Sequence, residues 1–142
     1  MEFFHQERDD FGAEPQVFPI RGMVCRNENF RKAIWTGARL QVTVMRIPVG
    51  GEIGLEFHEN VEQLLQIESG VARVYMGKTK QCVKYFGQAD CNSLIVIPQK
   101  TWHNIVNVGY APLKLYSVYA PPNHPFGTIH ATKEDSDLSE KE

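Results

Sequence analysis

The sequence predicts an all-β domain, and three observations carry that prediction. From Ala38 to Pro122 the chain breaks into eight short apolar runs, each closed by turn residues. The runs are rich in Val, Ile, Leu, Tyr and Phe, which suit a pleated, half-buried surface. No comparable stretch shows the i, i+3, i+4, i+7 recurrence of an amphipathic helix. Short strands at this spacing build an antiparallel sandwich or barrel.

Residues 1–34 mix aromatics and charges with Pro15 and Pro19. In a fold with exposed sheet edges this segment is expected to pack as an extra strand or arm, on the barrel or on a partner subunit. The barrel itself is assigned to 35–122. Its runs are ARLQVTVMRIP (38–48), GLEFH (54–58), EQLLQIES (62–69), VARVYM (71–76), QCVKYF (81–86), SLIVIP (93–98), WHNIVNV (102–108) and LKLYSVYAPP (113–122). The remainder, 123–142, is a loop rich in Pro and His followed by ATKEDSDLSEKE. That tail is charged and poor in apolar residues, and is expected to be mobile or a short solvated helix.

Composition removes several function classes. At 142 residues the chain can bury a core without disulfides. Its 15 Lys+Arg are offset by 17 Asp+Glu, so a basic footprint for nucleic acid is missing. No apolar run is long enough for a membrane helix. MEFFHQERDD lacks the basic-then-apolar order of a signal peptide, so a cytoplasmic protein is expected. Cys25, Cys82 and Cys91 are odd in number and form no C-x-x-C pair, which argues for reduced thiols over a disulfide framework or a cysteine zinc site.

The candidate chemistry follows from strand parity, since residues two apart share a face. In GLEFH, Glu56 and His58 point one way and Leu55 and Phe57 the other. In EQLLQIES the face with Glu62, Gln66 and Glu68 is the wet one, so Gln63 points inward beside Leu65 and Ile67. In WHNIVNV, His103 shares its face with Ile105 and Asn107 and begins its strand near the barrel mouth. A lone inward histidine is commonly a hydrogen-bonded core residue, and a lone inward glutamate commonly pairs with arginine. Two imidazoles, a carboxylate and an amide from three strands point instead to a first-row metal site with Glu56, His58, Gln63 and His103 as ligands. Asn107 is expected to satisfy backbone groups in a turn. Gln41, Thr43 and Tyr119 share inward faces and are weaker candidates to line a pocket. His124 and His130, in YAPPNHPFGTIH, belong to a rigid surface loop or, more sharply, to a flap over the mouth with His124 as an acid or base.

These residues at these spacings resemble the cupin superfamily. Its first motif is Gly, five residues, His-x-His, three or four residues, Glu, six residues, Gly. Here the frame is Gly50, five residues, Glu56-x-His58, four residues, Gln63, six residues, Gly70. Its second motif is Gly, five residues, Pro-x-Gly, two residues, His, three residues, Asn. Here it is Asn92, five residues, Pro98-x-Lys100, two residues, His103, three residues, Asn107. Four positions depart: Glu56 stands for His, Gln63 for Glu, and Asn92 and Lys100 for Gly. Lys100 is expected to be solvated at its turn rather than to reach over the mouth toward an anion.

The resemblance implies a jelly-roll β-barrel (a double-stranded β-helix), close to the small bacterial cupins labelled mannose-6-phosphate-isomerase-like, and a homodimer. It also implies a divalent cofactor, Zn, Mn, Fe or Ni, on Glu56, His58, Gln63 and His103. The expected function is Lewis-acid and proton-transfer chemistry, such as isomerisation, on a small sugar or organic acid. Glu56 and His103 would be the catalytic groups, with Glu56 as ligand or general base. Fe(II)-dependent dioxygenation and a non-catalytic sensor barrel are the alternatives.

Overall fold

The computed structural model describes residues 8–140, and among them nine strands arrange as two antiparallel sheets. The elements are α1 (Ile20–Arg26), β1 (Arg31–Thr36), β2 (Gln41–Ile47), β3 (Glu62–Ser69), β4 (Ala72–Gly77), β5 (Lys84–Ala89), β6 (Leu94–Ile97), β7 (Trp102–Asn107), β8 (Leu113–Ala120), β9 (Ile129–His130) and α2 (Lys133–Ser139). One sheet runs β6-β3-β8-β2-β1-β9 and the other β5-β4-β7. Residues 1–7 of the expected arm and 141–142 of the expected tail lie outside the described residues. No described helix is long and apolar enough to cross a membrane.

Alternation sets the core. On β3, Gln63, Leu65 and Ile67 are buried while Glu62 is exposed; on β7, His103, Ile105 and Asn107 are buried. These inner faces meet Met45, Ile47, Ile97, Leu113 and Leu115 in one apolar cluster. Each such side chain contributes roughly 1.5–3 kcal/mol on burial. The inward readings of β3 and β7 therefore hold. On β2 the alternation fails at Val44, which is buried together with its neighbours Thr43 and Met45. The cause is α1: Val24, with Phe18, Ile20 and Met23 around it, packs on Ile34 and Val44, so that part of the sheet is dry on both sides.

The structure differs from the strand-by-strand expectation at three places, and it settles the tail between its two expected forms. The run FRKAIWT yields β1, with a partner on each side, β2 and β9. The strand expected at 81–86 begins at Lys84, because Lys80–Cys82 coil into a 3₁₀ turn. The tail takes the helical form of the two expected, as α2, a short helix begun by a capping box in which Thr132 Oγ1 accepts from Asp135 N and the Asp135 carboxylate accepts from Thr132 N. Finally, 54–58 is not a continuous strand.

This last difference positions the site. Residues 51–58 lie along β7 as an irregular fourth strand, bridging Glu52 to Val106 and Glu56 to His103. The pairing slips by one residue between these bridges, the signature of a bulge. Gly54 sits in the slip at φ +111°, a left-handed conformation that favours glycine. Its N–H is taken by the Asn104 side chain, 2.9 Å, and not by the β7 backbone. Ile53 points into the core, and three residues later Glu56 also faces inward. A regular strand puts positions three apart on opposite faces; the bulge brings both inward.

Candidate metal centre

Glu56, His58 and His103 converge. Their ligand atoms all lie within 4.8 Å of one another. Glu56 Oε1 is 3.7 Å from His58 Nε2 and 3.7 Å from His103 Nε2. Those distances are too long for hydrogen bonds, and both Nε2 atoms are buried without a hydrogen-bond partner. Backbone pairing fixes the arrangement. Glu56 and His103 exchange N–H···O bonds of 2.9 and 3.0 Å, and His58 O accepts from Lys100 N at 2.7 Å.

The His103 tautomer can be read from its second nitrogen. Nδ1 lies 2.9 Å from the Thr101 carbonyl, which can only accept, so Nδ1 carries the proton. When the ring is neutral, Nε2 presents a lone pair toward Glu56. A carbonyl that accepts from one ring nitrogen and so fixes the other toward the site is the usual support of a metal-bound histidine. An imidazole lone pair facing a buried carboxylate oxygen is repulsive unless a cation or a proton lies between them.

Behind the cluster sits Arg31, 1% exposed on β1. Its Nη2 is 3.7 Å from Glu56 Oε2. Its Nη1 donates to Ser136 Oγ at 2.7 Å and lies 3.3 Å from His130 Nδ1. The guanidinium cannot accept, so His130 Nδ1 is the acceptor and His130 Nε2 holds the proton, which points to Ser139 Oγ at 3.2 Å. Ser139 Oγ donates onward to Ser136 O. Arg31 therefore ties α2 to the back of the site. Burial raises the Glu56 pKa, but a proton between its carboxylate and His103 or His58, together with the Arg31 charge, outweighs it. They hold the carboxyl far below the usual carboxylate range.

Gln63 is buried at the start of β3. Its Nε2 donates to Ser117 Oγ at 2.8 Å, and its Oε1 is buried without a hydrogen-bond partner. Across the ladder it faces Tyr119, whose ring meets His58 edge-on at 6.2 Å. Thr43 is buried with its hydroxyl unpartnered. Asn107 holds a turn, donating to the carbonyls of Ile47, Pro48 and Ala111 and accepting from Gly109 N. Lys100 is exposed at φ +61°, in the backbone conformation that explains a glycine at this motif position.

An open cavity of about 760 Å³ leads from the cluster to solvent. Glu56 and His58 form its floor, and Leu55, Phe57 and Trp102 one wall. Phe57 and Trp102 pack with ring centres 5.0 Å apart, and the Lys80 ammonium lies over the Trp102 ring outside the lining. The opposite wall is polar, with Asn123, His124, Thr128 and Ser139. Gln41 does not line the cavity; it builds this wall. Its Oε1 accepts from Asn123 N and His124 N, and its Nε2 donates to His124 O. His124 packs edge-on against Tyr119, 5.2 Å between centres. Burial and then the Arg31 charge push its pKa down to about 3, so the ring is neutral near pH 7. His130 is lowered by the same two causes.

Sequence reasoning missed Arg31 and Ser136. The available signal for Arg31 was FRKAIWT, an apolar run in which Arg31 shares a face with Ala33. Nothing in the charged tail marks Ser136 as buried.

The chain is 50% identical over 131 residues to the uncharacterized protein YrkC of Bacillus subtilis, a match spanning 92% of this chain and 70% of that protein. The crystal structure of BH2720 from Bacillus halodurans superposes with a TM-score of 0.90 at 45% identity, covering 92% of this chain and 98% of that one. A cupin superfamily protein from Desulfitobacterium hafniense superposes with a TM-score of 0.59 at 15% identity, covering 77% and 94%, a likeness of fold. No family model matches the chain.

Proposed function

The chain belongs to the family of YrkC and has the cupin double-stranded β-helix fold, and from that premise we propose that it is a metal-dependent enzyme acting on a small polar metabolite. The observation that carries the proposal is the set of facing ligand atoms. Two buried imidazole nitrogens without hydrogen-bond partners and one ionised carboxylate oxygen meet within 4.8 Å. Buried polar atoms are rarely left unpaired, and a divalent first-row ion such as Zn, Mn, Fe or Ni satisfies all three. Glu56, His58 and His103 would hold it, with the free Oε1 of Gln63 as a fourth donor.

Bound there, such an ion supplies Lewis acidity toward a carbonyl or hydroxyl oxygen of the substrate. The chain's own groups divide the remaining work. Glu56 has too little proton affinity for a general base and is a ligand. His103 is held in its metal-binding tautomer by Thr101. His124 offers a neutral imidazole to the cavity as a hydrogen-bonding group; its pKa of about 3 makes it, like Glu56, a weak base near pH 7. Its position is fixed by the buried Gln41. Leu55, Phe57 and Trp102 limit the water beside the floor. Lewis-acid chemistry such as isomerisation is the reaction class we place first.

The composition of the cluster favours one other reading. Two histidines and one carboxylate are the ligands of non-haem Fe(II) oxygenases, which leave open positions for O₂ and substrate.

The test is elemental analysis of tag-free protein beside His58→Ala and His103→Ala. Near-stoichiometric metal in the parent, lost in both variants while their circular dichroism stays native, is expected. Zinc, nickel or manganese supports Lewis-acid chemistry; iron with oxygen consumption supports the second reading. A parent that takes up no metal even on reconstitution ends both.

A further inference from the structure

The two walls of the cavity differ in chemistry, and that difference selects a ligand. We propose that the substrate is a cyclic polyol the size of a monosaccharide, without a phosphate group, lying flat on Leu55, Phe57 and Trp102. The inference rests on the proposed function and names its substrate class. On one side, Phe57 and Leu55 are 38% and 41% exposed, an apolar surface left open at the cavity. A ring with one face of C–H groups covers such a surface. Across the cavity, Asn123, His124, Thr128 and Ser139 present an amide, an imidazole and two hydroxyls. An arene would meet the first wall and leave the second without partners, a cost that recurs for every polar group desolvated. A linear acid would meet the second and leave the aromatic pair uncovered. A hydroxylated ring meets both.

The charges of the lining disfavour phosphate. Among the described residues no Lys or Arg lines the cavity, while Glu56 and Glu140 do. Arg31 lies behind the floor at 1% exposure, engaged with Ser136, His130 and Glu56. A metal held by Glu56, His58 and His103 would lie at the floor, where an uncharged hydroxyl or carbonyl oxygen could meet it. A phosphate elsewhere on the ring would face Glu140 and neutral side chains of the lining, with the Lys80 ammonium over Trp102 outside it.

The test is saturation-transfer NMR on the purified full-length protein, with D-mannose, D-galactose and myo-inositol as neutral rings. D-mannose 6-phosphate, phenol and citrate are the competing classes. Metal content is measured on the same samples. Binding of at least one neutral ring with transfer to its ring C–H protons is expected, weakened roughly tenfold in Trp102→Ala and in Phe57→Ala. The second variant guards against a folding defect in the first, since Phe57 is the more exposed. Binding only by the phosphate, phenol or citrate, binding unaffected by both variants, or no neutral-ring binding by metal-replete protein overturns the inference. Neutral-ring binding by protein that never takes up metal upholds it and removes the proposed metal chemistry instead.

Discussion

Replacing Gln41 by Leu tests whether one buried amide holds a wall of the cavity. Gln41 is 0% exposed, and its side chain makes four hydrogen bonds. Nε2 donates to Thr36 Oγ1 at 2.9 Å and to His124 O at 2.8 Å; Oε1 accepts from Asn123 N at 3.0 Å and His124 N at 2.9 Å. Leucine nearly keeps the volume and removes all four. At roughly 0.5–1.5 kcal/mol net per bond, the loss is about 2–6 kcal/mol if the loop stays in place. The loop has an escape, because residues 123–124 are only half-buried and can turn their amides to water. We therefore expect the lower half of that range, about 3 kcal/mol, which lowers Tm by about 10 °C in a domain of this size. Hydrogen exchange at the Asn123 and His124 amides should accelerate, while metal content stays at the parental level because Gln41 touches none of the three ligands. A fall in Tm below about 3 °C together with unchanged exchange at 123–124 would refute the reasoning.

Two further outcomes follow from the electrostatics. The pKa of His124 drops from 6.5 in the unfolded chain to about 3 in the fold, so between these values the unfolded state binds the extra proton. Stability is complete above pH 6.5 and falls as pH drops toward 3, by about 1 kcal/mol per pH unit at most after allowance for partial exposure. Urea midpoints at pH 7, 6 and 5 should decline less steeply in His124→Asn than in the parent; parallel declines would show that another group carries the dependence. In metal-free protein, Glu56→Gln leaves the buried Arg31 without its carboxylate and should cost about 3 kcal/mol. Adding Arg31→Met should recover part of that loss in a double-mutant cycle measured by denaturant unfolding; strictly additive losses would mean that the two charges do not interact.

The legible parts of this fold are those fixed by period-two alternation. The inward faces of β3 and β7, and with them Gln63, His103 and Asn107, follow from which neighbours are charged. Glu56 and His58 were also placed inward, although the segment is bulged and not regular. The reading survived because the bulge at Gly54 lies upstream of both residues; it changes their relation to Ile53 and leaves their relation to each other intact. Pairing across the sequence was not legible. Arg31 reaches Glu56 only because β1 lies between β2 and β9, and no local pattern encodes that neighbourhood. The role of α2 was hidden for a different reason. Its seven residues are almost all charged or polar, and its attachment comes from one capping box and from Ser136 on Arg31, not from an apolar stripe.

The two ligand positions that depart from the cupin motif have a joint physical account. The motif carries one carboxylate, at the position of Gln63, and this chain also carries one in its candidate metal cluster, at Glu56. The cluster keeps its charge while the carboxylate changes strand. At 56 the carboxylate lies beside Arg31, which needs a counter-charge because it is buried. At 63 the side chain donates to Ser117 Oγ, which an ionised carboxylate cannot do. A histidine at 56 would leave the guanidinium with only neutral partners, Ser136 and His130. The cost would fall first on the contacts that Arg31 makes with α2, whose last turn supplies Ser139 to the cavity wall. Glu56, Arg31 and α2 thus form one electrostatic unit, in which the residue proposed to bind a metal also secures the helix that shapes the cavity.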